Sequence, residues 1–384
     1  MMPSLSPEEE VHSRTVAALI AERARAAGGW LPFERFMELA LYAPGLGYYS
    51  AGSVKLGPDG DFVTAPEISD LFSRCVARQC AQVLAEGGEI LELGAGTGRM
   101  AAVILETLAV RDALPDRYAI LEVSADLAER QRERLQRLPA ELRERVVWLD
   151  RLPERPIRGV ILANEVLDAL PFRRFRLCGN EVRELGVAVE GGALVEREAV
   201  PDADLANACA TLLRELPLPL PQGYASEVCL RTGPWVAGVA ECLERGLMLL
   251  FDYGLPRAHY YHPQRTDGTF RCHFRQRAHD DPYINLGLQD ITAWVDFTRV
   301  AEAALGCGLE VSGFCTQAAF LLASGVERLL AESTDTVEHA RLAGQARRLL
   351  LPGEMGEAFK AMALTRDVDV PLEGFALQDL RQSL

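Results

Sequence analysis

The feature that most limits what this chain can become is the run Glu89-Ile90-Leu91-Glu92-Leu93, followed at once by Gly94-Ala95-Gly96-Thr97-Gly98 and by a segment of helical spacing from Met100 to Leu108. A short apolar run bounded by glycines reads as a buried strand. Glycines at alternate positions make a turn whose backbone is bare, so a ligand can lie directly against it. The next helix opens with N–H groups that lack intrahelical partners, and these aim at the same place. Strand, turn and helix together predict a cradle for a nucleotide-type cofactor; an ordinary βα turn is the bland reading of the same residues.

Spacing narrows the cofactor. A dinucleotide fingerprint requires a third glycine where Arg99 stands, and here that glycine comes one residue early. This argues against a nicotinamide-dependent oxidoreductase. A carboxylate just before the turn, Glu92, suits a ligand carrying an ammonium and a cationic sulfur better than a pyrophosphate. The pattern E-x-G-x-G-x-G resembles motif I of the class I S-adenosylmethionine (SAM)-dependent methyltransferases, which makes Glu92, Gly94, Ala95, Gly96 and Gly98 the candidate cofactor contacts. About 24 residues beyond Gly98, the apolar run 118–121 closes on Glu122, placed to accept hydrogen bonds from ribose hydroxyls. A third run, 146–149, ends at Asp150, and a fourth, 160–163, ends at Asn164-Glu165. Apolar runs alternating with longer polar-faced segments predict an α/β chain with a parallel sheet covered on both faces. Ligands bind beyond the carboxyl ends of such strands.

Three further segments carry a closer likeness: Gly60-Asp61-Phe62-Val63-Thr64-Ala65-Pro66-Glu67-Ile68-Ser69, Ala163-Asn164-Glu165-Val166-Leu167-Asp168-Ala169-Leu170-Pro171, and Asp290-Ile291-Thr292-Ala293-Trp294-Val295-Asp296-Phe297. They resemble the MidA-like methyltransferases, a family that includes the mitochondrial arginine methyltransferase acting in respiratory complex I assembly, and the likeness runs from about residue 30 to 366. Many members carry Pro and Arg where this turn has Ala95 and Thr97. The resemblance implies a Rossmann-like sheet of seven strands with the last one antiparallel, SAM as cofactor, and a protein substrate, with an arginine of a complex I-type subunit as the model case. It places Asp61, Phe62 and Thr64 in a flap against the cofactor; Asp61 and Thr64 could equally cap the helix beginning near Ile68, since T-x-x-E matches a capping box. It also makes Tyr261, His262, Arg265, His279 and Asp290 candidates for substrate binding; ordering of the loop is the alternative for the first four, and pinning this insertion to the core the alternative for Asp290. A non-catalytic SAM-binding assembly factor is the competing reading.

Methyl transfer is an in-line displacement, so an enzyme for it must chiefly hold the acceptor in place. Carboxylates that bind a guanidinium bidentately both orient it and localise its charge. If residues 165–170 turn helically, Glu165 and Asp168 share a face; with Asn164 they are the catalytic candidates. The alternative is that Asp168 only braces the turn before Pro171. The stretch from His259 to Asp281 has metal-binding residue types but no regular zinc spacing, and adjacent Cys272 and His273 would point apart on a strand, so no metal is expected.

The net charge of −15 disfavours nucleic acid and anionic membrane as partners and favours a basic one. Nine cysteines without C-x-x-C pairs read as reduced thiols, and residues 1–10 resemble neither a secretory signal nor an Arg-rich presequence, which together suggest the bacterial cytoplasm. No apolar run reaches spanning length. The chain divides by pattern into a helical cap and lid loop, 1–67; a methyltransferase core, 68–366, with insertions at about 175–232, 255–290 and 317–357; and a tail, 367–384. Helices are predicted over 8–27, 32–42, 68–85, 203–216, 236–245, 318–330 and 337–351, hairpins over 175–200, strands over 247–251, 309–314 and 359–365, and irregular chain over 255–288. Oligomeric state leaves no mark on the sequence.

Overall fold

The computed structural model describes residues 3–51, 63–179 and 181–384, and it divides into two compact units, each with its own apolar core. The larger unit comprises Val63–Val166, Trp235–Leu255 and Val295–Leu384. Its sheet has the seven principal strands expected, β1 (Glu89–Leu93), β2 (Tyr118–Leu121), β3 (Val146–Leu149), β4 (Ile157–Asn164), β5 (Leu243–Leu255), β6 (Glu310–Thr316) and β7 (Phe359–Arg366). Their spatial order is β6-β7-β5-β4-β1-β2-β3. The first five pair in parallel, while β7 runs antiparallel to both β5 and β6. A short strand, Val295–Asp296, extends the sheet beside the carboxyl end of β5.

Strands such as Val160-Ile161-Leu162 and Leu247-Met248-Leu249-Leu250 are apolar at every position because both faces of the sheet are covered, and all of these residues are buried. Phe251 packs edge-on against Phe72 and Phe320, with centroids 5.0 and 4.9 Å away. β5 begins at Leu243, whereas the sequence predicts helix through Arg245; the helix ends at Ala240. The polar start of β5 lies where the strands come too close for side chains: a Cβ on Gly246 would meet the Gly159 carbonyl oxygen at 1.9 Å. The single helix predicted over 318–330 is two, Gln317–Ala323 and Val326–Ala331, parted at Gly325, whose φ is 78°.

Because β1 leads to β2 and β3 on one side while β4 lies on its other side, the strand order reverses between β1 and β4. Such a reversal opens a crevice at the carboxyl ends of the two strands. The register sets Leu93 beside Ala163, so the glycine turn and Asn164-Glu165 leave the sheet side by side.

The smaller unit comprises Met1–Phe62, Leu167–Pro234 and Pro256–Trp294. It holds an antiparallel sheet in the order Trp30–Pro32, Glu181–Glu190, Arg173–Cys178, Ala225–Val228, with Ala193–Ala199 pairing on Glu181–Glu190. Helices Pro7–Ala26 and Phe33–Tyr42 pack on it; the first starts at a capping box in which Ser6 and Glu9 exchange hydrogen bonds of 3.2 and 2.7 Å. Phe33 stacks on Phe172 at 5.4 Å in its core. The segment predicted to be irregular instead supplies two strands, Arg277–His279 and Arg271–Phe274, of a second small sheet that Asp290–Thr292 completes. Its strands are short and rich in Arg and His, which hides their alternation.

Candidate active site

All three glycines of the turn use left-handed backbone, with φ of 67° at Gly94, 53° at Gly96 and 78° at Gly98. The Gly98 N–H closes the turn on the Ala95 carbonyl at 2.8 Å, and Ala95 is buried. Gly98 is then the N-cap of the helix Arg99–Val110, and no side chain caps it. Thr97 donates to the Glu67 carboxylate, and Arg99 donates to the Glu67 carbonyl at 2.8 Å and to Asp70 at 2.9 Å. Arg99, the residue that breaks the dinucleotide fingerprint, therefore braces the turn against 67–70. Thr64 stands at the N-cap of Ala65–Ile68 without a side-chain cap bond, so the capping-box alternative is not realised there; Ser69 caps the following helix, Asp70–Val83. Asp61 and Phe62 lie outside the described residues.

Glu92 is 1% exposed and accepts the Tyr118 hydroxyl at 2.7 Å. Burial pushes its carboxyl up to about 7, the Glu122 charge adds to the rise, and the Tyr118 bond opposes it. An acid whose proton is held more tightly folded than unfolded loses stability as pH rises from its ordinary range through the folded value. Glu92→Gln, which keeps an acceptor for Tyr118 and removes the buried charge, should therefore match the wild type near pH 4.5 and exceed it above pH 7 by on the order of 3 kcal/mol. Thermal melts of the cofactor-free protein at both pH values check this; equal gains at the two would assign the effect to packing instead.

Glu122 follows β2 half-buried. One carboxylate oxygen accepts from the Ser124 N–H and the other from the Gln131 amide, both at 2.9 Å. A carboxylate accepts several hydrogen bonds at once, which is what a ribose diol asks of its acceptor. Gln131 is not among the residues singled out from the sequence, yet it is fully buried and also touches Gly96 and Trp148. Asp150 is exposed directly after β3.

Asn164 ends β4. Its amide nitrogen donates to Glu165 at 3.2 Å, and its amide oxygen is buried without a hydrogen-bond partner among the described residues. The Glu165 N–H donates to the Phe251 carbonyl at 2.9 Å, and its φ is 54°. The helical turn predicted over 165–170 does not form: the segment is a succession of bends and turns, and the left-handed residue at its start removes the i, i+3 face.

Asp168 belongs to the smaller unit, 6% exposed, and its carbonyl accepts the Ala293 N–H at 3.2 Å. In the same unit Asp290, 1% exposed, takes the Tyr49 hydroxyl on both oxygens at 3.0 and 3.1 Å, and Tyr49 stacks on Tyr42 at 5.3 Å. Burial, followed by the charges of Asp290, Tyr42 and Asp168, keeps the Tyr49 phenol protonated well above its ordinary range. Tyr261 is buried with its hydroxyl on the Glu227 carbonyl at 2.9 Å, and Arg265 lies over the Trp294 ring at 4.9 Å. His262 and His279 accept from nearby backbone N–H groups, those of Gln264 and Asp281. Of the five candidates here, Asp290 lies among the acidic and phenolic groups, and Tyr261 and Arg265 are engaged in holding their own segment. No three His, Cys, Asp or Glu side chains among the described residues converge as metal ligands.

The larger unit fits SAM by its own chemistry. Bare left-handed glycines leave room for close approach, a helix N-terminus without a side-chain cap suits an anionic group, and Glu122 supplies a carboxylate at the end of β2 that suits a ribose. The orphaned Asn164 oxygen can receive an ammonium.

Residues 75–315 match the model of a family described as S-adenosyl-L-methionine-dependent methyltransferases. A Burkholderia thailandensis protein, solved bound to S-adenosyl-homocysteine, is 40% identical with both chains fully covered and a TM-score of 0.95. The Drosophila melanogaster mitochondrial protein arginine methyltransferase NDUFAF7 homolog is 29% identical over 94% of this chain and 88% of its own. Its Danio rerio counterpart is 28% identical over 87% and 83%.

Proposed function

This chain belongs to the S-adenosyl-L-methionine-dependent methyltransferase family, and from that we propose that it methylates arginine side chains of a protein. The observation that carries the acceptor reading is Glu165, a carboxylate held in left-handed backbone where the strand order reverses, beside the glycine turn. SAM when bound supplies an electrophilic methyl group on a cationic sulfur. The chain's own part is to hold both reactants. The glycine turn and Asn164 hold the methionine end, Glu122 the ribose and Asp150 the adenosine side. Glu165 receives the guanidinium N–H bonds, orients the attacking nitrogen, localises the positive charge away from it, and takes up the proton released.

Two further points support a protein substrate. The curated relatives carry protein arginine methyltransferase in their names. The net charge of −15 draws basic segments by long-range attraction. The family resemblance makes a respiratory complex I-type subunit the first candidate. The test is to incubate the purified protein with methyl-labelled SAM and extract from cells lacking it, then to locate the label by mass spectrometry of the digested proteins. One or two methyl groups on arginine of a specific peptide are expected. Label on another residue type or on a small molecule would overturn the arginine reading, and cofactor binding without any transfer would make the protein a SAM-binding assembly factor.

The ribose assignment gives its own expectation. Glu122→Ala should weaken SAM by about 1.5–3 kcal/mol, the scale of hydrogen bonds to a charged group, and Glu122→Gln by less. Calorimetry decides it; wild-type affinity in both variants would take the carboxylate out of the ribose site.

A further inference from the structure

We infer that Gln131 is a positioning residue for the cofactor: its side-chain amide locks the ribose-binding carboxylate to the glycine turn. This rests on Glu122 as the ribose acceptor. Gln131 lies on the helix Ala125–Leu135 that follows β2, and it is fully buried. Its amide nitrogen donates to Glu122 at 2.9 Å and to the Gly96 carbonyl at 3.0 Å, and its amide oxygen accepts the Trp148 indole N–H at 3.0 Å. Amide orientation is fixed by these partners. An indole N–H can only donate and a peptide carbonyl only accept, so the oxygen must face Trp148 and the nitrogen must face the turn. Both N–H bonds of the amide are used.

One side chain thus spans the carboxyl ends of three adjacent strands, touching the turn after β1, the acid after β2 and a residue within β3. The helix that carries it is itself seated against the turn, since a Cβ on Gly98 would come within 3.2 Å of the Gln131 Cα. The Arg132 guanidinium lies over the Trp148 ring, 5.2 Å from its centroid. Leucine at 131 would fill a buried position without the cost of burying an amide. What glutamine adds is a fixed direction for the Glu122 carboxylate relative to the glycine turn. A glutamate here would set two carboxylates against each other and leave the Gly96 carbonyl without its donor.

The experiment is a double-mutant cycle on the full-length protein: wild type, Gln131→Met, Glu122→Ala and the double variant, each titrated calorimetrically with S-adenosyl-homocysteine and with its 2′,3′-dideoxy analogue. Gln131→Met should weaken S-adenosyl-homocysteine about tenfold, the scale of one hydrogen bond to a charged group, and the dideoxy analogue far less. Its KM for SAM should rise while kcat at saturation holds. In the double variant the loss should equal that of Glu122→Ala alone, because Gln131 acts through Glu122. Additive losses, or equal weakening of both ligands, would make Gln131 merely structural and sink the inference while leaving Glu122 in place. Wild-type affinity in Glu122→Ala would instead remove the ribose reading itself. Should Gln131→Met not fold, Gln131→Asn keeps the amide with a shorter reach and must show the same selective loss.

Discussion

Replacing Glu165 by Gln should lower methyl transfer by at least about 100-fold, the lower end for a group that positions or accepts a proton, while SAM affinity stays nearly unchanged. The substitution preserves shape and most hydrogen bonding and removes only the charge that localises the guanidinium cation. The backbone supports this reading independently. Glu165 has a φ of 54°, a conformation that glycine or asparagine adopts far more readily. Its N–H is fastened to the Phe251 carbonyl, which holds the strained residue in place. Strain of about 1–3 kcal/mol at such a residue persists only where the surroundings enforce it, and it clusters at functional sites. Glu165→Gly should accordingly melt at a higher temperature than the wild type and be inactive, a pairing that a purely structural glutamate would not give. Full turnover in Glu165→Gln, measured on the true protein substrate, would remove the carboxylate from the chemistry. Attention would then shift to Asp168 and Asp290, whose Asn variants are the next to assay.

The two carboxylates expected to act as one pair illustrate what a sequence conceals. Their spacing of three suggests a helical face, but a single left-handed residue abolishes that face, and nothing in Glu165 as a residue type announces positive φ. The central sheet was legible for the opposite reason. Strands buried on both faces are apolar at most positions, so β1, β2, β4 and the middle of β5 stand out from the helices around them, Glu92 in β1 being the buried exception. The polar start of β5, up to where Gly246 meets Gly159, reads instead as the end of the preceding helix. In the smaller unit, Trp30–Pro32 is too short to show alternation, and Arg271–Phe274 alternates between Cys272 and Phe274, which are buried, and Arg and His, which resemble loop composition.

Gln131 is the instructive omission. It stands among Glu129, Arg130, Arg132 and Glu133, and in that company a glutamine reads as part of a solvated face. Helical spacing says otherwise: Gln131 lies four residues from both Leu127 and Leu135 and three from Ala128, all of them buried. A polar residue on the apolar stripe of an amphipathic helix must find partners or incur the cost of desolvation. That conflict was the available signal of buried partners; the structure supplies their identity, Gly96, Glu122 and Trp148.

The turn itself yields the other large effect. Gly96→Val should abolish measurable SAM binding, with a loss of at least about 100-fold, while leaving the secondary structure intact. Gly96 has a φ of 53°, where a β-branched residue is severely disfavoured, so valine must either distort the turn or drive the backbone out of it. Either response displaces the Gly96 carbonyl, which is fastened to Gln131, and with it the surface against which the cofactor lies. The strand and helix on either side are anchored in one core by buried side chains, Ile90 on one and Ile104, Leu105 and Leu108 on the other, so the fold has reason to survive. Gly96→Ala, unbranched, should lose less. Circular dichroism and calorimetry on the same samples separate the outcomes: wild-type affinity in a folded Gly96→Val protein would take this turn out of the cofactor site, and loss of the far-ultraviolet helical signal would show that the turn holds the core unit together.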